Sequence, residues 1–221
     1  MRKTSKFIGT LLCLLLLPAG YISANTDILN QIDHPSVRTV QKAVDTAKSM
    51  NIIGERPKAT GEYVDQLTKA SVVKVVDGDT LLVEIKGVEY KVRLIGVDTP
   101  EVYGKQEYYG REASDYVKSI LKEGQEVFLE RDVSDTDRYG RLLRYVWINS
   151  PISNQMGQAD VQADMVNGIL VSEGYAAPAT FPPDVKYEKV FADLSKQPRK
   201  EGFGLWKNKE NRETGRAVAL V

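Results

Sequence analysis

The sequence is poor in the side chains on which many hydrolases depend. Its single cysteine is Cys13 and its single histidine is His34. One cysteine excludes an intramolecular disulfide framework. One histidine excludes mechanisms that use a histidine pair, and a Cys–His dyad or a Ser-His-Asp triad has almost nothing to be built from. Any chemistry must therefore rest on carboxylates, arginines, tyrosines, lysines, hydroxyls or a metal ion.

The chain also has no excess of charge of either sign, with 30 basic and 30 acidic side chains among 221 residues. Hydrophobic residues make up 42% of the sequence and charged residues 27%. This composition is typical of a folded globular protein and excludes a disordered or fibrous chain. The length indicates one domain, or one domain with an extension.

Long apolar runs are absent except at the N-terminus. Three basic residues among the first six precede an apolar run over 7–22, which Ser23 and Ala24 follow. This order predicts a signal peptide over 1–24 and a secreted, extracellular protein without membrane attachment. The alternative is an uncleaved membrane anchor, although 16 residues are short for a span. Cleavage would leave 27 basic against 30 acidic side chains, a balance that does not suit a general nucleic-acid coat.

Residues 25–66 are predicted to form an N-terminal extension. Val37, Val40, Val44 and Met50 are spaced as on an amphipathic helix. We expect His34 to lie at the surface of this extension. Its role is open.

From residue 67 onward, runs of β-branched residues predict five strands. They lie at 72–76, 81–85, 88–97, 126–130 and 142–148. Lys86–Gly87 predicts a two-residue hairpin between the second and third strands. Apolar residues at helical spacing predict a helix over about 113–121 and two more that end near Gly174 and Gly202. The segment 149–163 is predicted to be a solvated loop.

Five short strands with a helix between the third and fourth fit a small barrel of the OB type. The predicted fold class is therefore α+β, a five-stranded OB-fold β-barrel with about three α-helices. We assign residues 67–221 to this domain, because about 150 residues can bury one core.

Polar residues cluster at three strand ends. The first cluster holds Asp77, Asp79 and Thr80; the second Arg93, Asp98, Thr99 and Glu101; the third Asp137, Arg138, Tyr139 and Arg141. Acidic residues in turns are commonly turn formers. Arg93 is different, because it interrupts an apolar strand, where a charge normally needs a partner or a ligand.

Together these residue types could bind a metal ion and a phosphate group and activate a water molecule. Two carboxylates with a backbone carbonyl and waters form a hard-oxygen site suited to Ca²⁺ or Mg²⁺. Two arginines can bind phosphate oxygens through their planar forks. A further carboxylate could position or deprotonate a water molecule, and the whole set would stabilise a five-coordinate phosphate. The spacing does not show whether the groups converge.

Six blocks of this sequence resemble the staphylococcal nuclease (thermonuclease) family. They are V-V-D-G-D-T at 75–80, V-R-L-I-G-V-D-T-P-E at 92–101, Y-G-R-E-A-S at 109–114, D-R-Y-G-R at 137–141, G-Y-A at 174–176 and G-L-W at 204–206. The resemblance covers about residues 70–208, and the family's fold is an OB barrel with helices.

The resemblance implies a role for each matching residue. Asp79 and Asp98 match the Ca²⁺ carboxylates, and Thr99 matches the carbonyl ligand. Glu101 matches the general base or water-orienting group. The phosphate-binding arginines match Arg93 and Arg141, a terminal-phosphate site matches Arg138 and Tyr139, and Asp77 lies near the metal, acting through water.

The family often places two tyrosines after the G-Y-A block to stack a base. Here Phe181 offers one stacking face and Ala179 has lost the other, so weaker binding or a different base preference is expected. Basic residues that flank the proposed site predict a local positive cleft. They are Lys91, Arg93, Lys105, Arg111, Arg138, Arg141 and Arg144.

The resemblance thus implies a calcium-dependent nuclease, and the signal peptide predicts that it is secreted. The balanced charge and a chemistry that needs one site favour a monomer. Its expected substrates are RNA and single-stranded or melted DNA, cut to 5′-hydroxyl and 3′-phosphate ends. The main alternative is a non-catalytic, nuclease-like domain that binds nucleic acid or protein. A third possibility is a structural barrel whose 25–66 extension makes the interactions.

Overall fold

A computed structural model describes residues 67–103, 106–153 and 156–216. The predicted signal peptide, the extension with its helix and His34, and Lys105 lie outside these residues, so they stay predictions. None of the helices described is long and apolar enough to cross a membrane.

Five strands close into a barrel in the order β1-β2-β3-β6-β5. They are β1 (Thr68–Val75), β2 (Thr80–Ile85), β3 (Val88–Leu94), β5 (Glu126–Glu130) and β6 (Leu142–Trp147). The β3–β6 pair is parallel and the other pairs are antiparallel. The predicted five-stranded OB-type barrel and the α+β class are confirmed.

Alternation along the strands fills the barrel. Leu81 and Val83 of β2 and Val92 and Leu94 of β3 are almost completely buried. Because successive side chains of a strand point to opposite faces, Arg93 lies on the outer face of β3. The Lys86–Gly87 hairpin forms as predicted, with positive φ at both residues.

The predicted strand over 88–97 is interrupted after Leu94. Gly96 has a φ of 77°, and the chain then forms the short strand β4 (Val97–Asp98), which pairs with β7 (Ala177–Pro178). The buried Asn167 holds this break in place. Its side chain donates to the Ile95 carbonyl at 2.9 Å and accepts from the Val146 N–H at 3.0 Å.

The described residues contain six α-helices, more than the three predicted. They are α1 (Gly110–Ile120), α2 (Gln158–Asp164), α3 (Val166–Ser172), α4 (Glu188–Leu194), α5 (Lys196–Glu201) and α6 (Lys209–Thr214), with a 3₁₀ turn at Gly204–Lys207. The predicted helix before Gly202 is divided at Ser195 into α4 and α5. Short helices with few apolar residues give a weak periodic signal, which is why α2 and α6 were not predicted.

The prediction of a solvated loop over 149–163 is wrong for its second half. Val161 and Ala163 of α2 are buried against the rest of the domain. A Cβ on Gly168 of α3 would lie 2.3 Å from the Val161 carbonyl oxygen, so the two helices touch at backbone distance. This segment is therefore part of the packed core.

A buried acid attaches the segment that follows β7 to the barrel. Glu130 ends β5 at 3% exposure and accepts from the Trp147 indole N–H at 2.7 Å and from the Tyr187 hydroxyl at 3.2 Å. It also forms an ion pair with Lys186.

We expect Glu130→Ala to lower the free energy of unfolding by about 3 kcal/mol, because it removes the acceptor of the buried Trp147 indole N–H and the buried carboxylate that pairs with Lys186. Glu130→Gln keeps an acceptor for Trp147 and should cost less. Urea unfolding of both variants checks this, and equal stability of Glu130→Ala and the unaltered protein would contradict it.

Candidate active site

One arginine joins two carboxylates at the end of the barrel. Arg93 pairs through Nη1 with Asp79 and through Nη2 with Asp98, the second contact at 3.2 Å. The Arg93 side chain is 16% exposed and the Asp79 side chain 12%, whereas the Asp98 side chain is half exposed. The charge in the apolar strand therefore has the partners that its position demanded.

The turn before β2 fixes the Asp79 carboxylate. Asp77 Oδ1 accepts from the Asp79 N–H at 3.1 Å, while Asp79 Oδ2 accepts from the Thr99 N–H at 3.3 Å. Between them, Gly78 packs so tightly on Thr99 that a Cβ would lie 2.6–2.9 Å from three atoms of that side chain. Glycine at this position thus allows the Asp77–Asp79 turn to lie directly against the Thr99 side chain.

The cluster is short of positive charge. Burial raises the pKa of Asp79 to about 6, the Arg93 guanidinium opposes the rise, and Asp77 and Asp98 add to it. A further cation is what such a site would bind. The donors available, Asp79, Asp98 and the Thr99 carbonyl, are all oxygens, the ligand type that Ca²⁺ prefers.

This donor set fits calcium held by few protein ligands. Within the described ranges, no three His, Cys, Asp or Glu side chains come close enough together to ligate one ion. Two carboxylates and a carbonyl would leave the remaining coordination positions to water and substrate, an arrangement that Ca²⁺ tolerates because it takes six to eight oxygens in flexible geometry.

Glu101 lies beside this cluster and is held through its backbone. Its N–H donates to the Glu107 carboxylate at 3.0 Å, and its carbonyl accepts from the Glu107 N–H at 3.0 Å. Gly110, the first residue of α1, approaches the same carbonyl so closely that a Cβ would lie 2.6 Å from it. The beginning of α1 therefore sets the position of Glu101.

The environment of Glu101 makes it a better base than an ordinary glutamate. Burial raises its pKa, the carboxylates of Asp77, Glu107 and Asp98 raise it further, and Arg93 opposes them. A carboxylate of higher pKa takes a proton from water more readily. The same interactions place Glu101 within electrostatic range of the arginine–carboxylate cluster.

A second cluster forms in the β5–β6 loop around Asp137. This carboxylate accepts from the Arg141 Nε at 2.7 Å and from the N–H groups of Arg141 and Tyr139 at 3.0 and 2.9 Å. Burial opposes ionisation, but these hydrogen bonds outweigh it and lower the pKa of Asp137. Arg138 donates to the Tyr139 hydroxyl at 2.6 Å, and its guanidinium lies 4.7 Å from the centre of that ring.

Phe181 lies in the segment after β7 and is 63% exposed. The buried Asp184 accepts from the N–H groups of Val133 and Ser134 at 3.0 and 2.8 Å, which attaches this segment to the β5–β6 loop. Phe181 is therefore held near the loop that carries Arg138, Tyr139 and Arg141. Ala179, where the family often has a ring, is partly buried and donates its N–H to the Gly96 carbonyl at 3.0 Å.

The structure thus joins the predicted residues into two groups. Asp77, Asp79, Arg93, Asp98, Thr99 and Glu101 form the first, and Asp137, Arg138, Tyr139 and Arg141 form the second. The parallel β3–β6 pair connects the segments that carry them, because Arg93 lies opposite Leu143, two residues after Arg141.

Arg144 does not belong to the predicted basic cleft. It is buried, pairs with Asp135 at 2.6 Å and donates to the Asp135 and Leu143 carbonyls. Its charge is used within the fold, whereas Lys91 and Arg111 are exposed.

Three residues that position the site were not predicted: Gly78, Glu107 and Gly110. The two glycines stand inside blocks that carry the family resemblance, but nothing in a one-dimensional pattern shows which backbone atoms they meet. Glu107 follows the segment after Glu101 with no motif of its own.

Comparison with known proteins agrees with this geometry. The family model described as Staphylococcal nuclease homologue matches residues 91–208. The thermonuclease of Staphylococcus hyicus is 37% identical over 140 residues, 62% of this chain and 75% of that protein. The thermonuclease of Staphylococcus intermedius is 36% identical over 138 residues, 61% and 74% of the two chains. Endonuclease YhcR of Bacillus subtilis is 32% identical over 163 residues, which are 68% of this chain but 12% of that protein.

Proposed function

Because the chain belongs to the staphylococcal nuclease family, and therefore has a nuclease-like function, we propose that it is a secreted, calcium-dependent nuclease. Its proposed substrates are RNA and single-stranded or melted DNA, cut to 5′-hydroxyl and 3′-phosphate ends. The observation that carries the proposal is the Arg93 guanidinium shared by Asp79 and Asp98, with the Glu101 carboxylate beside it.

The residues divide the reaction between them. Arg93 and Arg141 bind the oxygens of the scissile phosphate through their guanidinium forks. Glu101 takes a proton from a water molecule whose oxygen forms the new bond to phosphorus. The bond between phosphorus and the 5′ oxygen breaks, and that oxygen receives a proton from solvent.

Binding of the rest of the strand falls to the β5–β6 loop and the segment after β7. Arg138 and Tyr139 hold a neighbouring phosphate, and the exposed ring of Phe181 stacks on a base, a contact typically worth about 1–3 kcal/mol. Asp137 orders this loop by accepting three hydrogen bonds from its residues.

Asp79, Asp98 and the Thr99 carbonyl would hold Ca²⁺, with Asp77 acting through water. When bound, Ca²⁺ supplies Lewis-acid polarisation of the phosphoryl oxygens and a lower pKa for adjacent water. Extracellular calcium sites can be weak, with a Kd of about 10⁻⁴–10⁻³ M, so a site with few protein ligands suits a secreted enzyme.

Removal of calcium should abolish cleavage. We expect the purified protein to cut single-stranded DNA in millimolar Ca²⁺, to stop when a chelator is added, and to resume when Ca²⁺ is restored. Labelled fragments analysed on a gel measure this, with end-group analysis of the products. Circular dichroism in the chelator controls for unfolding.

The main alternative, a non-catalytic domain that binds nucleic acid or protein, predicts binding without fragments under the same conditions. The presence of Asp79, Arg93, Asp98, Glu101 and Arg141 supports the enzyme instead. Cleavage that persists in the chelator would contradict the calcium assignment and leave the nuclease assignment standing.

We propose that the protein acts as a monomer.

A further inference from the structure

A pocket of about 300 Å³ opens beside Glu101 at the beginning of α1. The residues that line it include Tyr108, Tyr109, Gly110, Glu107, Arg111 and Glu112. The volume is at the lower end of the range for small-molecule pockets, about 300–1,000 Å³. It therefore has room for a group of the size of a nucleobase but not for a large ligand.

The aromatic wall of this pocket belongs to a stack of four tyrosines. Tyr116 and Tyr175 stack at 4.0 Å between ring centres, Tyr175 and Tyr109 at 5.5 Å, and Tyr109 and Tyr108 follow at 5.8 Å. In the described part of the chain, Tyr108 is the last ring of this series. A planar ligand could continue the stack from Tyr108 at little cost in side-chain ordering.

The β4–β7 pair places this pocket and Phe181 at opposite ends. Val97 pairs with Pro178 and Asp98 with Ala177, and the Ala179 N–H donates to the Gly96 carbonyl. The antiparallel register therefore carries Phe181 past the Gly96 end of the pair. It carries Glu101 and Tyr175 past the other end, where Tyr175 meets Tyr109. A nucleic-acid strand that crosses Asp98 and Glu101 can thus place one base near Phe181 and another in the pocket.

The charges of the pocket select what it can bind. Three of the residues that line it are acidic, Glu101, Glu107 and Glu112, whereas one, Arg111, is basic. A phosphate group would be repelled by this surplus of negative charge. A nucleobase is neutral, and a carboxylate accepts well from an exocyclic amino group such as the N4 amine of cytosine.

We propose that this pocket binds the nucleobase on the side of the scissile phosphate away from Phe181, stacks it on Tyr108, and prefers bases that carry an exocyclic amino group. The proposal rests on the proposed nuclease function and adds a second base site to it. Phe181 alone then does not set base preference, and the loss of a ring at Ala179 is compensated at the other end of the site.

The test compares Tyr108→Ala with the unaltered protein on short single-stranded DNA. We expect the unaltered protein to bind hexadeoxycytidylate more tightly than hexathymidylate in a chelator, where no turnover occurs. Tyr108→Ala should raise the Kd for hexadeoxycytidylate by about 10-fold or more, as loss of one stacked base predicts, and should remove most of the difference between the two oligonucleotides. Fluorescence anisotropy measures both.

Two variants serve as controls. Tyr108→Phe keeps the ring and should bind like the unaltered protein. Tyr103→Ala removes a tyrosine that is 69% exposed and does not line the pocket, so its Kd should not change. A melting curve for each variant shows whether the fold is retained, and Tyr108→Phe keeps the comparison valid if Tyr108→Ala is destabilised.

A substrate with only one base separates this proposal from the proposed function. Tyr108→Ala should hydrolyse a nucleoside methyl phosphodiester at the unaltered rate in Ca²⁺, since a methyl group in place of the second nucleoside leaves the pocket empty. Equal Kd values for Tyr108→Ala and the unaltered protein would overturn the base site, as would equal binding of the two oligonucleotides by the unaltered protein. Failure of the unaltered protein to hydrolyse either kind of substrate would overturn the nuclease function itself.

Discussion

Arg93→Ala is expected to lower kcat for single-stranded DNA by about 10³–10⁵-fold, the range found when an arginine that stabilises a phosphoryl-transfer transition state is removed. The guanidinium is largely buried between Asp79 and Asp98, so its charge acts with little screening by solvent. Arg93→Lys keeps the positive charge but not the planar fork of the guanidinium, so its kcat should lie between those of Arg93→Ala and the unaltered protein.

The same change should affect cation binding in the opposite direction. Arg93 is the shared partner of two carboxylates that we assign to Ca²⁺, and its removal takes away a positive charge that repels the ion and competes with it for their oxygens. We therefore expect Arg93→Ala to bind Ca²⁺ more tightly in calorimetry, although it turns over slowly. A merely structural role for Arg93 predicts that Ca²⁺ affinity and turnover fall together as the site unfolds.

Lys209→Ala provides a control for loss of a positive charge. Lys209 is exposed and pairs with Glu213 at 3.5 Å on α6, a contact of little energetic value. Its kcat and Ca²⁺ affinity should be those of the unaltered protein. Turnover by Arg93→Ala within 10-fold of this control would remove Arg93 from the assigned machinery.

The barrel could be predicted from the sequence because alternating apolar residues carry a direct signal for strands and their inner faces. Arg93 could be noticed because it stands between the apolar residues Val92 and Leu94, where a charge normally needs a partner or a ligand. The prediction of a solvated loop over 149–163 was wrong because the segment is polar on average, although Val161 and Ala163 within it are buried. Composition reports average polarity, whereas packing of a short helix depends on a few positions.

The supporting contacts of the site could not be predicted, because they depend on which atoms the fold brings next to a glycine or to one N–H group. Gly78 matters through its distance to Thr99, and Gly110 through its distance to the Glu101 carbonyl. A sequence shows that glycine is present but not which neighbour lies where its Cβ would be. Glu107 acts by accepting a hydrogen bond from the Glu101 N–H, and many other polar residues of the sequence could have filled this role.

Gly110→Ala should therefore impair catalysis although glycine has no side chain that could take part in the reaction. The new Cβ would lie 2.6 Å from the Glu101 carbonyl oxygen and 2.8 Å from that of Pro100, and both are backbone atoms that cannot rotate away. Glu101 must shift, and a displacement of about 1 Å costs on the order of 10²-fold in rate. We expect kcat to fall by that amount on a nucleoside methyl phosphodiester, which leaves the pocket beside Glu101 empty and so reports the position of Glu101 alone.

The matched control is Gly157→Ala, whose Cβ would meet only the Asp160 carboxylate at an ordinary 3.5 Å. This variant should keep kcat. Thermal unfolding of both variants should show whether Gly110→Ala lowers stability by more than about 1–3 kcal/mol, the typical cost of overpacking. Unchanged kcat in Gly110→Ala would mean that α1 does not set the position of Glu101.

A double-mutant cycle then distinguishes displacement of Glu101 from general damage. Glu101→Ala alone should lower kcat by about 10²–10⁴-fold, as loss of a general base does. If Gly110 acts through Glu101, adding Gly110→Ala to Glu101→Ala should cost almost nothing more, because the displaced group is already gone. Additive losses would show that the new methyl group disturbs Asp98 and Thr99 as well, and that the whole 98–101 backbone, rather than one carboxylate, depends on the beginning of α1.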